Sequence, residues 1–200
     1  MLLGAVATVP PFAAHSSAER VGIVAAGARL GLQGLSAVLW FYAAHSGLAH
    51  VQLGLCHMVG FAAPERYRYP FAAATPREFW MRWNVYFGAW IRVHVYSPIA
   101  RHLARGGRVS PGAAATASVL AFAWMGAMHE LYVLMSEGDS TFRMTACFTA
   151  FGAIVAACSA WEASARRRSP RALAVFRVGA RAVMLLAAVL GARVLGEGLR

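Results

Sequence analysis

The chain has 200 residues, of which 59% are hydrophobic and only 14% charged, with a mean hydropathy of +0.53. That balance excludes an ordinary soluble domain and predicts an all-α, polytopic integral membrane helix bundle. The net charge of +11 is carried by 19 arginines with no lysine, and these cluster beside apolar spans, which suits anionic headgroups or phosphates and argues against nucleic acid as a partner.

The start, Met1 to Pro11, is apolar without a basic leader region, and the following Ala-His-Ser-Ser-Ala is a weak cleavage signal, so a retained N-terminus is expected. Residues 21–45 are long enough to span a bilayer, with Arg29 either snorkelling to the interface or facing protein. Residues 46–61 carry three glycines, His50 and His57, and predict a short or re-entrant helix. The proline-bounded run Pro64 to Pro70 is then a polar connection.

Thr75, Pro76 and Glu78 spell an N-cap, a first-turn proline and a capping box, the strongest start signal in the chain. They open a single interfacial helix over 75–98. Its stripe of Trp80, Trp83, Phe87, Trp90 and His94 recurs at steps of three and four, and Arg77, Met81, Asn84 and Gly88 lie on a neighbouring face. By composition alone such a helix is an interfacial anchor without chemistry.

Ser110-Pro111 starts a span over 111–136 that carries Trp124, His129 and Glu130. Further spans follow over 141–162 and 172–195, separated by the basic turn Arg166 to Arg171. The Arg-rich segments at 65–110 and 166–171 are expected in the cytoplasm and the acidic turn Glu137 to Asp139 outside. His129 then lies about 27 Å along its helix from Pro111, in the outer half. The whole chain reads as one membrane domain, without repeats or low-complexity tracts. Cys56, Cys147 and Cys158 lack any Cys-x-x-Cys spacing and predict no disulfide framework, and His50, His57, His94 and His129 match no haem or metal ligand motif.

Taken in order, Ser46-Gly47, Gly54-Leu55, Gly60-Phe61, Pro64-Glu65, Pro70-Phe71, Arg77-Glu78-Phe79-Trp80, Arg82-Trp83-Asn84, Trp90-Ile91-Arg92 and Tyr96-Ser97-Pro98 resemble the signature region of the membrane-bound O-acyltransferase superfamily. Gly126-Ala127-Met128-His129-Glu130-Leu131 resembles its second motif, the apolar helix with the catalytic histidine. The resemblance covers residues 46–134. Asn84 and His129-Glu130 favour the lipid and wax synthase-like branch, while the Glu78-Phe79-Trp80 and Arg82-Trp83 spelling and Pro64-Glu65 are similar to the bacterial polysaccharide O-acetyltransferase branch. His50 stands where the family often has Asp. Family members are commonly about twice as long, which leaves a fragment, a compact variant and an inactive relative as readings.

The resemblance implies acyl transfer from acyl-CoA, a co-substrate without further cofactor or metal, to the hydroxyl of a membrane lipid alcohol. His129 would be the general base and Asn84 the donor to the thioester carbonyl or oxyanion. Arg77, Trp80, Arg82, Trp83 and Arg92 would hold acyl-CoA, with headgroup contact an alternative for Arg82. Glu130, about 100° around the helix from His129, would make a structural bond. The alternative is a non-catalytic membrane subunit or lipid-binding relative.

Overall fold

The computed structural model describes residues 17–138 and 140–196. The leader region, Asp139 of the acidic turn and the Arg29 side chain lie outside the described residues. The chain is an all-α membrane helix bundle, with no β-sheet among the described residues. Its elements are α1 (Ser17–Met58), a 3₁₀ turn (Pro70–Ala72), α2 (Pro76–Trp83), α3 (Val85–Ile91), a π-helical turn (Arg92–Tyr96), α4 (Ser97–His102), α5 (Pro111–Glu137), α6 (Arg143–Arg168) and α7 (Pro170–Gly196).

Two helices, Pro111–Ser136 and Arg143–Arg168, are long and apolar enough to cross a membrane, and only 22% of each apolar window is buried inside the protein. A soluble core helix would be mostly covered, so the exposed apolar faces belong to lipid.

Expected as a span followed by a short or re-entrant segment, residues 21–45 and 46–61 instead form one helix of 42 residues, about 63 Å long. Gly47 and Gly54 do not break it, because each lies in open space and neither takes a positive φ. The ring Nδ1 of His45 and of His50 bonds the carbonyl of Phe41 and of Ser46, one turn earlier, so neither histidine needs a break in the backbone. The helix ends where Gly60 turns left-handed (φ 88°) and the connection begins.

The single helix expected over 75–98 is likewise corrected. Its start keeps the expected cap, since Thr75 Oγ1 accepts the Glu78 N–H (3.2 Å), but the Glu78 carboxylate reaches one residue past the cap, to the Ala74 N–H (2.7 Å), and also takes Arg82 (2.6 Å). The Ala74 bond, with Arg82 beside it, holds the Glu78 carboxyl below its ordinary range against some desolvation. At Asn84, however, the backbone goes extended (φ −146°, ψ 91°), and a new helix begins with Asn84 as its cap. The break is filled from the preceding connection, since the Arg68 and Val85 N–H groups bond the Arg82 and Arg66 carbonyls and Tyr86 Oη donates to the Pro64 carbonyl.

This break splits the aromatic stripe. Trp83 packs into a nest of Phe41, Tyr42, Tyr67, Phe71 and Phe79, whereas Trp80 inserts among Phe122, Phe148 and Phe151 of α5 and α6. Both rings therefore hold the helix to protein and not to the lipid interface. Phe87 and Trp90 continue as a separate pair, with Trp90 leaning on Trp124 and His94.

Arg166 to Arg168, expected in a turn, are the last turn of α6. Ser169 alone reverses the chain: it is extended ahead of Pro170, and its Oγ accepts the Ala172 N–H (3.1 Å) as the cap of α7. At the opposite end α5 and α6 close on one another through small residues. A Cβ on Gly126 would lie 2.7 Å from the Thr145 Cα, and one on Gly152 would lie 2.8 Å from the Phe122 Cβ, the close approach typical of membrane helix pairs.

Gly126→Leu and Gly152→Leu are each expected to cost at least about 2 kcal/mol through overpacking, read as a lower melting temperature and yield in detergent. Gly54→Ala, in open space, is expected to hold or slightly raise stability in the same assay.

Candidate functional site

Along α5, Ala114, Ser118, Ala121, Met125 and His129 recur at steps of three and four, so they share one face. Facing them on α6 are Phe148, Val155, Ser159 and Ala163. The broken segment α2, α3 and the π-helical turn closes over these two stripes and leaves a cavity of about 920 Å³. Its walls are mostly apolar, and its polar groups are few: Arg77, Asn84, Arg92, Tyr96, Ser118, His129 and Ser159. A large apolar cavity with a few convergent polar groups is the ordinary form of a small-molecule site.

Of the residues singled out from sequence, Arg77, Trp80, Trp83, Asn84, Arg92 and His129 line this one cavity. Arg82 does not; it pairs with Glu78. Neither does Glu130, which is 5% exposed and accepts from Ser140 Oγ (2.7 Å) and the N–H groups of Phe142 (2.8 Å), Met144 (2.9 Å) and Thr145 (3.2 Å). It thereby caps α6 from α5, where no side chain of α6's own cap residue does so. The same bonds hold Phe142 in a left-handed conformation (φ 55°) that a bulky residue seldom adopts.

His129 is held from two sides. Its ring stacks on Phe148 (centroids 4.6 Å apart), and its Nδ1 lies 2.8 Å from the Met125 carbonyl. A carbonyl only accepts, so Nδ1 carries a proton, and the nitrogen that can exchange one with a ligand is Nε2. Phe148 also touches Trp80 (5.9 Å), so one aromatic ring couples α2 to the histidine. The depth of His129 along α5 therefore does not separate it from the segment that opens at Thr75, because Trp80 reaches into the bundle.

The Asn84 amide is oriented too. Its Oδ1 accepts the Phe87 N–H (3.2 Å) and the Arg66 Nε–H (3.5 Å), which leaves Nδ2 with its two protons undirected by any bond to the described residues. Both bonds require the oxygen at that position.

Tyr96 and Ser118 also line the cavity and were not legible as site residues. Tyr96 lies at the end of the π-helical turn, where the inserted residue changes the register of the face; turns of this kind recur at functional sites. Ser118 had one available signal, its place on the His129 stripe.

His50, His57, His94 and His129 are dispersed: His50 bonds Glu65 (3.2 Å), His57 bonds the Ala63 carbonyl (3.0 Å) and His94 leans on Trp90. Among the described residues no three metal-ligating side chains come together. The three cysteines are free thiols.

No family model matches the chain, and no solved structure matches it. Part of it is similar to proteins described as probable alginate O-acetylase AlgI. The protein of Pseudomonas syringae pv. tomato is 32% identical over 81 residues, which are 40% of this chain and 15% of that protein. Those of Pseudomonas putida and Pseudomonas aeruginosa are each 33% identical over 67 residues, 34% of this chain and 13% and 12% of theirs. The chain thus spans well under a fifth of the length of these relatives. The similarity agrees with the resemblance to the membrane-bound O-acyltransferase superfamily on its bacterial O-acetyltransferase side, and it gives no support to the wax synthase branch that Asn84 and His129-Glu130 had favoured. Asn84 has a separate reason to be there, since it caps α3.

Glu130→Ala is expected to destabilise the α5–α6 pair by about 3 kcal/mol or more, because it strips partners from three backbone donors. Hydrogen exchange at Phe142 to Thr145 is the readout, and Glu130→Gln, which keeps an acceptor oxygen, should fall between.

Proposed function

We propose that this chain carries the reaction centre of a membrane-bound O-acyltransferase, moving an acyl group from a thioester, acyl-CoA, to a hydroxyl. The observation that carries the reading is the orientation of His129, with Nδ1 bound to the Met125 carbonyl and Nε2 available in a cavity shared with Asn84 and Arg77.

In this reading the acceptor hydroxyl gives its proton to Nε2 as its oxygen attacks the thioester carbonyl carbon. The oxyanion that forms takes hydrogen bonds from Asn84 Nδ2, and collapse breaks the carbon–sulfur bond. The thiolate then takes the proton back from the imidazolium, so the histidine ends as it began. Trp80 and Trp83 supply apolar wall for the acyl part, and Arg77 and Arg92 supply positive charge for the donor's phosphates.

The acceptor class favoured by the relatives' description is a saccharide hydroxyl, as in alginate. A lipid alcohol is the second reading, favoured by the apolar cavity walls that include Phe87, Phe122 and Val155. The membrane is taken to be the bacterial cytoplasmic membrane, with the Arg-rich segments inside.

Membranes carrying the chain within its whole protein, supplied with labelled acetyl-CoA or long-chain acyl-CoA, are the test. His129→Ala is expected to lower transfer by 10²–10⁴-fold, the ordinary worth of a positioned base. Asn84→Asp keeps the cap oxygen and removes the amide protons, so it should lower turnover by about 10²-fold or more with the fold intact. Label in the saccharide fraction or in the lipid fraction identifies the acceptor. Undiminished transfer by His129→Ala removes the assignment, and no transfer by the wild type favours a non-catalytic membrane subunit.

A further inference from the structure

A second, smaller pocket of about 210 Å³ lies where the start of α2, the end of α6 and the start of α7 meet, and Arg77, Arg166 and Arg177 line it together with Glu78 and Glu162. The three guanidiniums come from three different helices, so no single basic run accounts for their meeting. Both carboxylates are already engaged: Glu162 Oε1 takes Arg166, and Glu78 takes the Ala74 N–H and Arg82, which lies outside the pocket. Arg77 has no ion-pair partner among the described residues, and Arg177 makes no direct ion pair, although its charge acts on Glu78 from a distance. With Glu162 bonded to Arg166 and Glu78 to Ala74 and Arg82, the guanidiniums outnumber the carboxylates and leave an excess of positive charge that an anion would relieve, and the forked donor geometry of arginine suits phosphate oxygens.

Arg77 and Met81 line both this pocket and the His129 cavity. We infer that Arg77, Arg166 and Arg177 form a binding site for the phosphate of a phosphate ester whose apolar or acyl portion extends past Met81 into the cavity. What the phosphate carries rests on the acyl-transfer reading; the phosphate site itself does not. The same chemistry is presented by an acyl donor such as acyl-CoA and by the headgroup of an anionic phospholipid. Arg82, expected from sequence to meet the donor's phosphates, is replaced in that role by Arg166 and Arg177, which sequence left to a turn and a span.

The full chain in nanodiscs tests this with two probes. In neutral phosphatidylcholine discs, binding of labelled coenzyme A is measured; in mixed discs, retention of phosphatidylglycerol is measured by native mass spectrometry. Arg177→Gln is expected to weaken one of the two by about tenfold, equivalent to about 1.4 kcal/mol, and Arg101→Gln, an exposed arginine outside the pocket, neither. Weakened coenzyme A binding assigns the acyl donor's phosphate, and lost phosphatidylglycerol assigns the headgroup. Equal behaviour of wild type and Arg177→Gln with both probes, or an equal loss in Arg101→Gln, overturns the site. If Arg177→Gln does not fold, Arg177→Lys keeps the charge without the fork and is expected to bind about threefold more weakly than wild type; no change then overturns the site as well. Arg177-sensitive binding without any acyl transfer would count against the proposed reaction alone.

Discussion

The close approach of α5 and α6 is the constraint on which the other features rest. Without side chains at Gly126 and Gly152, the two backbones come near enough for Phe122 and Phe148 to pack across the gap. In a bilayer, where lipid is as apolar as leucine, contact of this kind and satisfied polar groups do the work that hydrophobic burial does in water. Glu130 supplies the polar part: buried, it bonds three N–H groups at the start of α6 and the Ser140 hydroxyl, and so fixes the hairpin's register. That register sets Phe148 against the His129 ring.

The second constraint is the break at Asn84. A continuous helix from Thr75 to Pro98 would keep Trp80 and Trp83 on one side, as an interfacial stripe. Broken, it sends Trp80 between α5 and α6 and Trp83 toward α1 and the 67–71 connection. The aromatic residues thus close a cavity, and the polar groups they leave inside it are few and oriented. His129 and Asn84 each have one heteroatom bound to the backbone, which aims the other.

Charge follows the same architecture. Arg77, from the first Arg-rich segment, meets Arg166 and Arg177 in one pocket, so both basic segments lie at one end of the bundle. The Glu130 clamp and the α5–α6 turn lie at the other. The cavity runs between them along small-residue faces of α5 and α6.

Much of this was open to reading in the amino-acid sequence, for local reasons. Composition excluded a soluble domain; Thr75-Pro76 and Ser110-Pro111 announced helix starts, because a cap bond and a proline's missing N–H act within one turn. The turn of about 100° per helical residue placed Glu130 away from its neighbour His129, and motif order picked out Asn84 and His129 together. Tertiary structure alone decided the rest. Continuity of α1 through Gly47 and Gly54, the cap role of Asn84, the diversion of Arg82 to Glu78, and the meeting of Arg166 and Arg177 with Arg77 all depend on partners distant in sequence or on which of two local options packing selects. Spacing along a helix specifies a face, but what that face meets is set by the neighbouring helices.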